Sequence, residues 1–374
     1  MGDVPSRRGY LDLLRGLAVL IMIEAHLLDS WTRFPDRQTK EFAQAMILGG
    51  FGAPLFLFLA GVAVPLSAGS KLRKTGSVVQ SARAVTRRGL EIFGLAFLFR
   101  IQAWVLGWSS PATMLRVDIL NIMGPAIMAA AAIWGAMRST SARFVAFASA
   151  MLAFTLLAPI IRTVSILSPL PDPIEAYLRP VGTMSNFVFF PWAGFLFAGA
   201  IVGVVLDSVA TRRAELLTNL TFVFGGTAIA VVAYELSFFP TWYPQSHFWS
   251  TSPAFFFIRL GIMTAVIGLA YAWNQRPGGA EKWSPLKQLG RTSLFIYWIH
   301  VEMVYGLISL PLHKRLSWTQ SWIALAIFCV FMLICSIFKD RFVTKWKNYG
   351  GAQASRLRVQ AEASSERSQL LPEP

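Results

Sequence analysis

The sequence predicts an all-α protein, a polytopic integral membrane bundle. Hydrophobic residues make up 55% of the 374-residue chain and charged residues 14%, with a mean hydropathy of +0.53, whereas soluble domains carry about a quarter charged residues. The apolar residues gather into repeated segments of about 20, the length at which a helix crosses a hydrocarbon core of about 30 Å with its backbone groups satisfied internally. The alternation that a membrane barrel needs is absent.

Ten segments are expected to span, at residues 10–31, 44–67, 88–108, 119–137, 143–162, 186–206, 217–237, 253–273, 291–311 and 319–338, with room for an eleventh, short or re-entrant, at 165–185. The net charge of +15 would suggest nucleic acid in a soluble chain. Here the basic residues fall mainly in alternate loops, so the positive-inside bias accounts for them and no nucleic-acid partner is expected. The loop with Lys71, Arg73, Lys74, Arg83, Arg87 and Arg88 is the most strongly basic and is set in the cytoplasm. With an even number of spans both termini lie there too. Lys314 and Arg315 are the exception to the pattern. The chain then divides into a cytoplasmic N-terminus (1–9), a multi-span domain (10–338) and a cytoplasmic tail (339–374) that is basic and then disordered. Cys329 and Cys335 lie inside the last apolar segment, which argues against a disulfide framework or a structural zinc site, and no metal is expected. The first apolar run is too long and too charged for a cleaved signal peptide and reads as retained.

Span 1 carries the strongest pattern. Asp12, Arg15, Val19, Met22, His26 and Asp29 step by three and four, so they form one stripe on a helix. Arg15 and His26 are eleven positions apart, about three turns and about 16 Å of rise, so they look into one space from different depths. Facing lipid, such groups would be costly; they are expected to face other helices or a watery cavity. In span 2, Pro54 after Gly49-Gly50-Phe51-Gly52-Ala53 is expected to interrupt the helical ladder and free a carbonyl, or simply to kink a packing helix. Span 3 carries Arg100 past its middle. Before span 4, Asp118 can cap the helix and Arg116 can pair with it. Span 6 is entered through an aromatic belt at Phe189-Phe190-Pro191-Trp192. Span 8 buries Arg259 about two turns below its outer end. Span 9 sets Ser293, Tyr297 and His300 on one face, with His300 near the midplane.

By depth, His26, Asp29, Arg100, Arg116, Asp118, Arg259 and His300 collect in the outer half, with Arg15 and the basic cluster at Arg83, Arg87 and Arg88 in the inner half. A histidine with a carboxylate at i+3 suits acid/base work: Asp29 would hold one ring nitrogen and leave the other for substrate. The same nitrogen could accept an acyl group. Inner guanidiniums suit the phosphates of a nucleotide-type donor, and outer ones an oxyanion or an anionic sugar. Ten spans with midplane charges also describe a secondary carrier or channel for a small anionic solute, although no internal repeat places matching broken helices in the two halves.

The stretch Leu11-Asp12-Leu13-Leu14-Arg15-Gly16-Leu17-Ala18, followed by His26, resembles the opening of the acyltransferase-3 superfamily of membrane acyltransferases. The fuller pattern is similar to bacterial membrane proteins grouped with the heparan-alpha-glucosaminide N-acetyltransferase catalytic domain. It includes Ala53-Pro54-Leu55-Phe56-Leu57-Phe58-Leu59-Ala60-Gly61, Phe190-Pro191-Trp192-Ala193-Gly194, Ser252 to Gly261, and Leu289 to His300. The resemblance implies acetyl-CoA or another acyl-CoA as cytoplasmic co-substrate, a saccharide or glycolipid acceptor, and His26 as base or acyl carrier. From depth and charge, Arg15 is the candidate for the donor's phosphates and Arg100 and Arg259 for outer anion contacts, with Tyr297 and His300 as secondary candidates; the expected setting is the bacterial cytoplasmic membrane, with a homodimer left open. There is one departure. The lysosomal member of the family has Asn at the His26 position and its active histidine in the loop before span 2, whereas no histidine lies between Asp29 and Gly50 here, so that mechanism does not carry over.

Overall fold

The computed structural model describes residues 8–107, 110–276 and 283–369, with side chains as far as Trp346. These residues form helices α1 (Gly9–Trp31), α2 (Lys40–Gly49), α3 (Gly52–Thr75), α4 (Val78–Gly107), α5 (Ile119–Ala136), α6 (Thr140–Leu156) and α7 (Ala158–Thr163). They continue as α8 (Asp172–Leu178), α9 (Phe189–Asp207), α10 (Arg212–Leu236), α11 (Pro253–Asn274), α12 (Pro285–Arg291), α13 (Ser293–Tyr305) and α14 (Trp318–Gln369). Extended pairing among the described residues is confined to two isolated bridges, Thr32 with Leu316 and Val117 with Ser185.

Among the described residues, seven helical stretches are long and apolar enough to cross a membrane: Lys40–Thr75, Ile119–Ala136, Thr140–Thr163, Phe189–Asp207, Arg212–Leu236, Pro253–Asn274 and Trp318–Trp346. The chain is an integral membrane helical protein. The other three expected segments are helical as well, but α1 and α4 carry more charge than a lipid-facing span tolerates and α13 has only 13 residues. All three help to wall the central cavity, onto which Asp12, Arg15, Asp29, Arg88, Arg100 and Glu302 face; Glu24 is buried elsewhere on α1, and Arg87 and Glu91 of α4 are exposed.

Several expectations are corrected. Between α2 and α3 the break falls at Gly50 and Phe51, and Pro54 lies in the first turn of α3, where a backbone N–H has no intrahelical partner to lose, so Pro54 starts the helix and does not interrupt it. The proline inside that helix is Pro65. Residues 165–185 make a short 3-10 turn, α8 and a bridge to Val117, not a span. The stretch from Gly351, expected to be disordered, continues α14 to Gln369, while residues 1–7 and 370–374 lie outside the described residues.

α1 is the central rod. It packs against α3, α11, α12, α13 and α14. Leu14, Ala18 and Met22 join one buried core with α3, α5, α9 and α11, while Val19, Ile23 and Leu27 join a second with α13 and α14. Two close approaches set the spacing. A Cβ at Gly16 would collide with the Leu286 carbonyl and one at Gly290 with the Asp12 carbonyl, so α1 and α12 touch backbone to backbone. Gly61 and Gly199 do the same for α3 and α9. At the other end of α1, Ser30 Oγ and Trp31 Nε1 both donate to the Val304 carbonyl at 3.0 Å. The backbone amides of Lys314 and Leu316 reach Ser30 and Trp31 at 2.9 Å. α1 is thus pinned to α12 and α13 at both ends.

Gly290→Ala should force α12 off α1 and cost about 1–3 kcal/mol through overpacking, seen as a lower thermal-unfolding midpoint of the detergent-solubilised protein. Gly225→Ala, whose Cβ would meet nothing within 4 Å, should leave the midpoint unchanged or slightly raised.

Candidate active site

The described residues enclose a cavity of about 1470 Å³, walled chiefly by α1, α3, α4, α5 and α13. That exceeds the roughly 300–1,000 Å³ usual for one small ligand. The stripe of α1 faces it: Asp12, Arg15, Met22, His26 and Asp29 all line the wall, and only Val19 turns aside into the second core. The lining runs from exposed Lys71, Arg88 and Arg291 at one end to exposed Leu307 and Ile308 at the other.

The first end is basic. Arg15 Nη1 donates to Asp12 Oδ1 at 3.1 Å, and Arg291 Nε lies 4.0 Å from Asp12 Oδ2. Lys71 and Arg88 stand on the opposite wall, Arg88 paired with Glu91 at 3.2 Å. Four cations therefore face this mouth against two carboxylates. Of the basic cluster picked out at Arg83, Arg87 and Arg88, only Arg88 reaches the cavity; Arg87 is 81% exposed and pairs with Glu91.

His26 sits between the ends. Its Nδ1 lies 2.9 Å from Nε2 of His300, whose Nδ1 lies 2.8 Å from the Ile296 carbonyl. The two rings are nearly parallel, 4° apart, with centroids at 5.1 Å. A carbonyl can only accept, so the His300 Nδ1 carries a hydrogen, its Nε2 accepts, and His26 Nδ1 donates. The chain of bonds leaves the lone pair of a neutral His26 on Nε2, toward the cavity. The Tyr305 ring closes edge-on against His26 at 5.6 Å.

The expected partnership of Asp29 with His26 is therefore corrected. Asp29 is within electrostatic reach of the ring, but no hydrogen bond joins the two among the described residues. Its carboxylate accepts from Arg37 at 2.7 Å and from the Tyr305 hydroxyl at 3.3 Å, and Lys314 bonds its backbone carbonyl. The i+3 step points Asp29 along the same face as His26, yet one turn farther out, where those donors converge.

The far end is built on Asp118. Its carboxylate caps α5, taking the Ile119 amide at 2.8 Å, while Asn121 Oδ1 accepts from the Asp118 amide at 3.0 Å. The same carboxylate pairs with buried Arg100 at 2.6 Å, and Tyr297 stands on the same cavity wall. Arg116, two residues earlier, donates to Asn186 at 2.6 Å rather than to Asp118, because the Val117–Ser185 bridge carries it to the 184–186 segment. Arg259 does not reach the cavity. Its guanidinium lies against the Phe255 ring at 4.0 Å and near Phe51, behind the break between α2 and α3. Arg259, expected among the outer-half anion contacts, is turned away from the cavity by its azimuth on α11. His300 is fully buried behind His26 rather than on the lining, and Tyr297 lines the wall as expected.

Lys71, Arg291, Asn186, Glu302 and Tyr305 are lining residues that sequence reasoning did not single out. Lys71 and Arg291 were accounted for by loop charge alone, and Glu302 and Tyr305 follow His300 on α13 by two and five positions.

A membrane bundle with a large, mostly apolar cavity, a basic mouth at one end and an imidazole on its wall belongs to the class of membrane group-transfer proteins or carriers. Residues 7–239 match the family described as heparan-alpha-glucosaminide N-acetyltransferase, catalytic. The chain belongs to that family, and the class is thereby narrowed to a membrane acetyltransferase acting on saccharides. Comparison with curated proteins gives no match. The matched stretch ends before α11, so it contains His26, Arg100 and Asp118 but not His300.

Asp118→Ala should remove the cap of α5 and leave Arg100 buried without its partner. A loss of about 3–5 kcal/mol is expected, measurable as a drop in thermal stability larger than that of Arg116→Ala, whose amide partner carries no charge.

Proposed function

We propose that the protein transfers an acetyl or similar acyl group from acyl-CoA to a hydroxyl or amine of a saccharide or glycolipid, with His26 as the base. The observation that carries this reading is the bond from His26 Nδ1 to His300 Nε2, which leaves Nε2 of His26 facing a cavity whose two ends differ in charge. The basic end, with Arg15, Lys71, Arg88 and Arg291, suits the phosphates of CoA. The rise of about 16 Å from Arg15 to His26 matches a donor whose charged end and thioester are joined by a long extended arm. The far end, with Tyr297, Arg116, Asp118 and Asn186, suits a polyhydroxylated acceptor.

In the reaction His26 Nε2 takes the proton of the acceptor O–H or N–H as the acceptor atom bonds the thioester carbon. The C–S bond breaks, and the CoA sulfur takes the proton back from Nε2. The same lone pair could instead accept the acyl group first and hand it on. Either route needs Nδ1 to keep its hydrogen, and the acceptor-only lone pair of His300 Nε2 enforces this. Asp29 braces the far end through Arg37 and Lys314 and acts on the ring through space. We place the basic mouth in the cytoplasm by the positive-inside bias, with ten spans and both termini on that side, in a bacterial cytoplasmic membrane.

His26→Ala should lower acetyl transfer from labelled acetyl-CoA to sugar acceptors by about 10²–10⁴-fold while the purified protein remains folded. His300→Ala should lower kcat, and His300→Gln, whose amide oxygen can accept from His26 Nδ1, should restore part of it; equal loss in both would count against the tautomer lock. Arg15→Ala should raise the KM for acyl-CoA about tenfold, as expected for loss of a charge-assisted contact of about 1.4 kcal/mol, with kcat retained.

A further inference from the structure

The wall of the cavity is not closed equally all round. α4 and α5 meet backbone to backbone: a Cβ on Gly89 would lie 2.8 Å from the Gly124 carbonyl oxygen, and one on Gly124 would lie 2.9 Å from that of Gly89. α1 and α13 are tied by the histidine pair and by the bonds to the Val304 carbonyl. Between α4 and α13 there is no extended backbone approach among the described residues. Side chains close this seam instead. Trp298 Nε1 donates to Gln102 Oε1 at 2.6 Å, and the Phe99 ring lies 5.9 Å from Tyr297 and 5.6 Å from Trp298.

The two sides of the seam differ. On the inside, Phe99 and Ala103 of α4 and Tyr297 and Val301 of α13 line the cavity, with Arg116, Asp118 and Asn186 farther along the wall. On the outside, Leu98, Ile101 and Val105 of α4 are exposed, and in a membrane protein such side chains meet hydrocarbon. Leu98 and Gln102 are four residues apart, one above the other on the same face of α4, so the Gln102 contact borders that apolar surface. Leu307 and Ile308, just past α13, are both exposed and on the lining, which carries the apolar surface to the rim of the far end. What separates cavity from bilayer here is aromatic contact and one neutral hydrogen bond, a weak tie between helices in a membrane.

We propose that the seam between α4 and α13 is a lateral slot for a lipid-anchored acceptor, latched by Gln102 and Trp298. The saccharide headgroup reaches His26 among Arg116, Asp118 and Asn186, while the apolar tail passes between the two helices and stays in the bilayer. The cavity of about 1470 Å³ exceeds the roughly 300–1,000 Å³ usual for one small ligand, so a headgroup has room beside the arm of the donor. The inference rests on the acyltransferase reading, which admits free and lipid-borne saccharides alike, and selects the lipid-borne class.

The slot is tested without turnover on the full-length protein in nanodiscs, with Cys329 and Cys335 replaced by serine and with Ala53→Cys on the α3 wall of the cavity as reporter. A maleimide tethered to the headgroup of a diacyl lipid should label this reporter. Gln102→Leu should speed that labelling about threefold, the effect of losing one interhelical bond of average strength, and leave labelling by a small water-soluble maleimide unchanged. Val301→Trp, which adds bulk at the seam, should slow the lipid-tethered reagent more than the soluble one. Absence of labelling by the lipid-tethered reagent, or an equal response of both reagents to both variants, overturns the slot. In the membranes that naturally hold the protein, label from acetyl-CoA should pass into chloroform-extractable saccharide; label confined to water-soluble saccharide overturns the acceptor class. No transfer to either fraction, with slot labelling retained, counts against the acyltransferase reading and leaves the slot standing.

Discussion

The hydrogen bond from His26 to His300 is the contact on which the rest of the site depends. It joins side chains 274 residues apart, and it is only as good as the register between α1 and α13. That register is fixed at one end by the Gly16 and Gly290 contacts, which bring α12 against α1 without intervening side chains. At the other end, Ser30 and Trp31 donate to one carbonyl of α13, and the 314–316 backbone closes onto the last turn of α1. Between these anchors there is little freedom to slide. A shift of one residue would carry His26 about 1.5 Å along the axis and 100° around it, out of reach of His300.

The same rod carries a gradient of charge. Near its start Asp12 gathers Arg15 and Arg291; near its end Asp29 gathers Arg37 and Lys314. Each carboxylate is outnumbered by cations, but the surplus is spent differently. At the start the guanidiniums of Arg15 and Arg291 stay half-exposed on the lining, free to meet an anion. At the end, neither Arg37 nor Lys314 is on the lining, and both face the Asp29 side of α1. One mouth thus keeps surplus positive charge, while the other offers Asp118, Asn186 and aromatic surface. A thioester entering by the first end and a sugar entering by the second would meet at the depth of His26.

How much of this was legible in the chain follows from what periodicity encodes. A 3.6-residue repeat fixes which residues of one helix share a face, and so the α1 stripe is visible in the amino-acid order itself. The cap at Asp118 was also legible, since a capping residue acts on its own backbone. What periodicity does not encode is the rotation of one helix against another. Arg259 and Arg100 sit at similar depths along their spans, yet one is turned to Phe255 and the other to Asp118. The i+3 carboxylate looked like the natural partner of His26 for the same reason: nearness in sequence is visible, whereas α13 packing behind α1 is not. The break before α3 was hidden because Gly50 and Phe51 leave the apolar run from 44 to 67 unbroken in hydropathy. Lys71 and Arg291 were legible as charge, but topology alone explained them, so their second position, on the cavity wall, left no separate trace.

The three helices that fail a simple test for lipid-spanning segments are informative in their own right. α1 and α4 are long enough to cross but too charged, and α13 is apolar but short. The apolar helices do not simply enclose the charged ones: α9 is the most buried of the seven, while α4 turns Leu90, Leu98, Ile101 and Val105 outward and Arg100 inward, so one helix can face lipid on one side and the cavity on the other. Arg100 of α4 answers Asp118, Asp29 of α1 answers the loop after α13, and His300 of α13 answers His26 of α1. Cost and function then have one origin. A helix that carries an imidazole, a guanidinium and three carboxylates across a membrane depends on neighbours that pair with such groups. Asp12 and Asp29 have those partners, whereas both oxygens of buried Glu24 lack a hydrogen bond among the described residues, and the space the neighbours leave between them is the cavity.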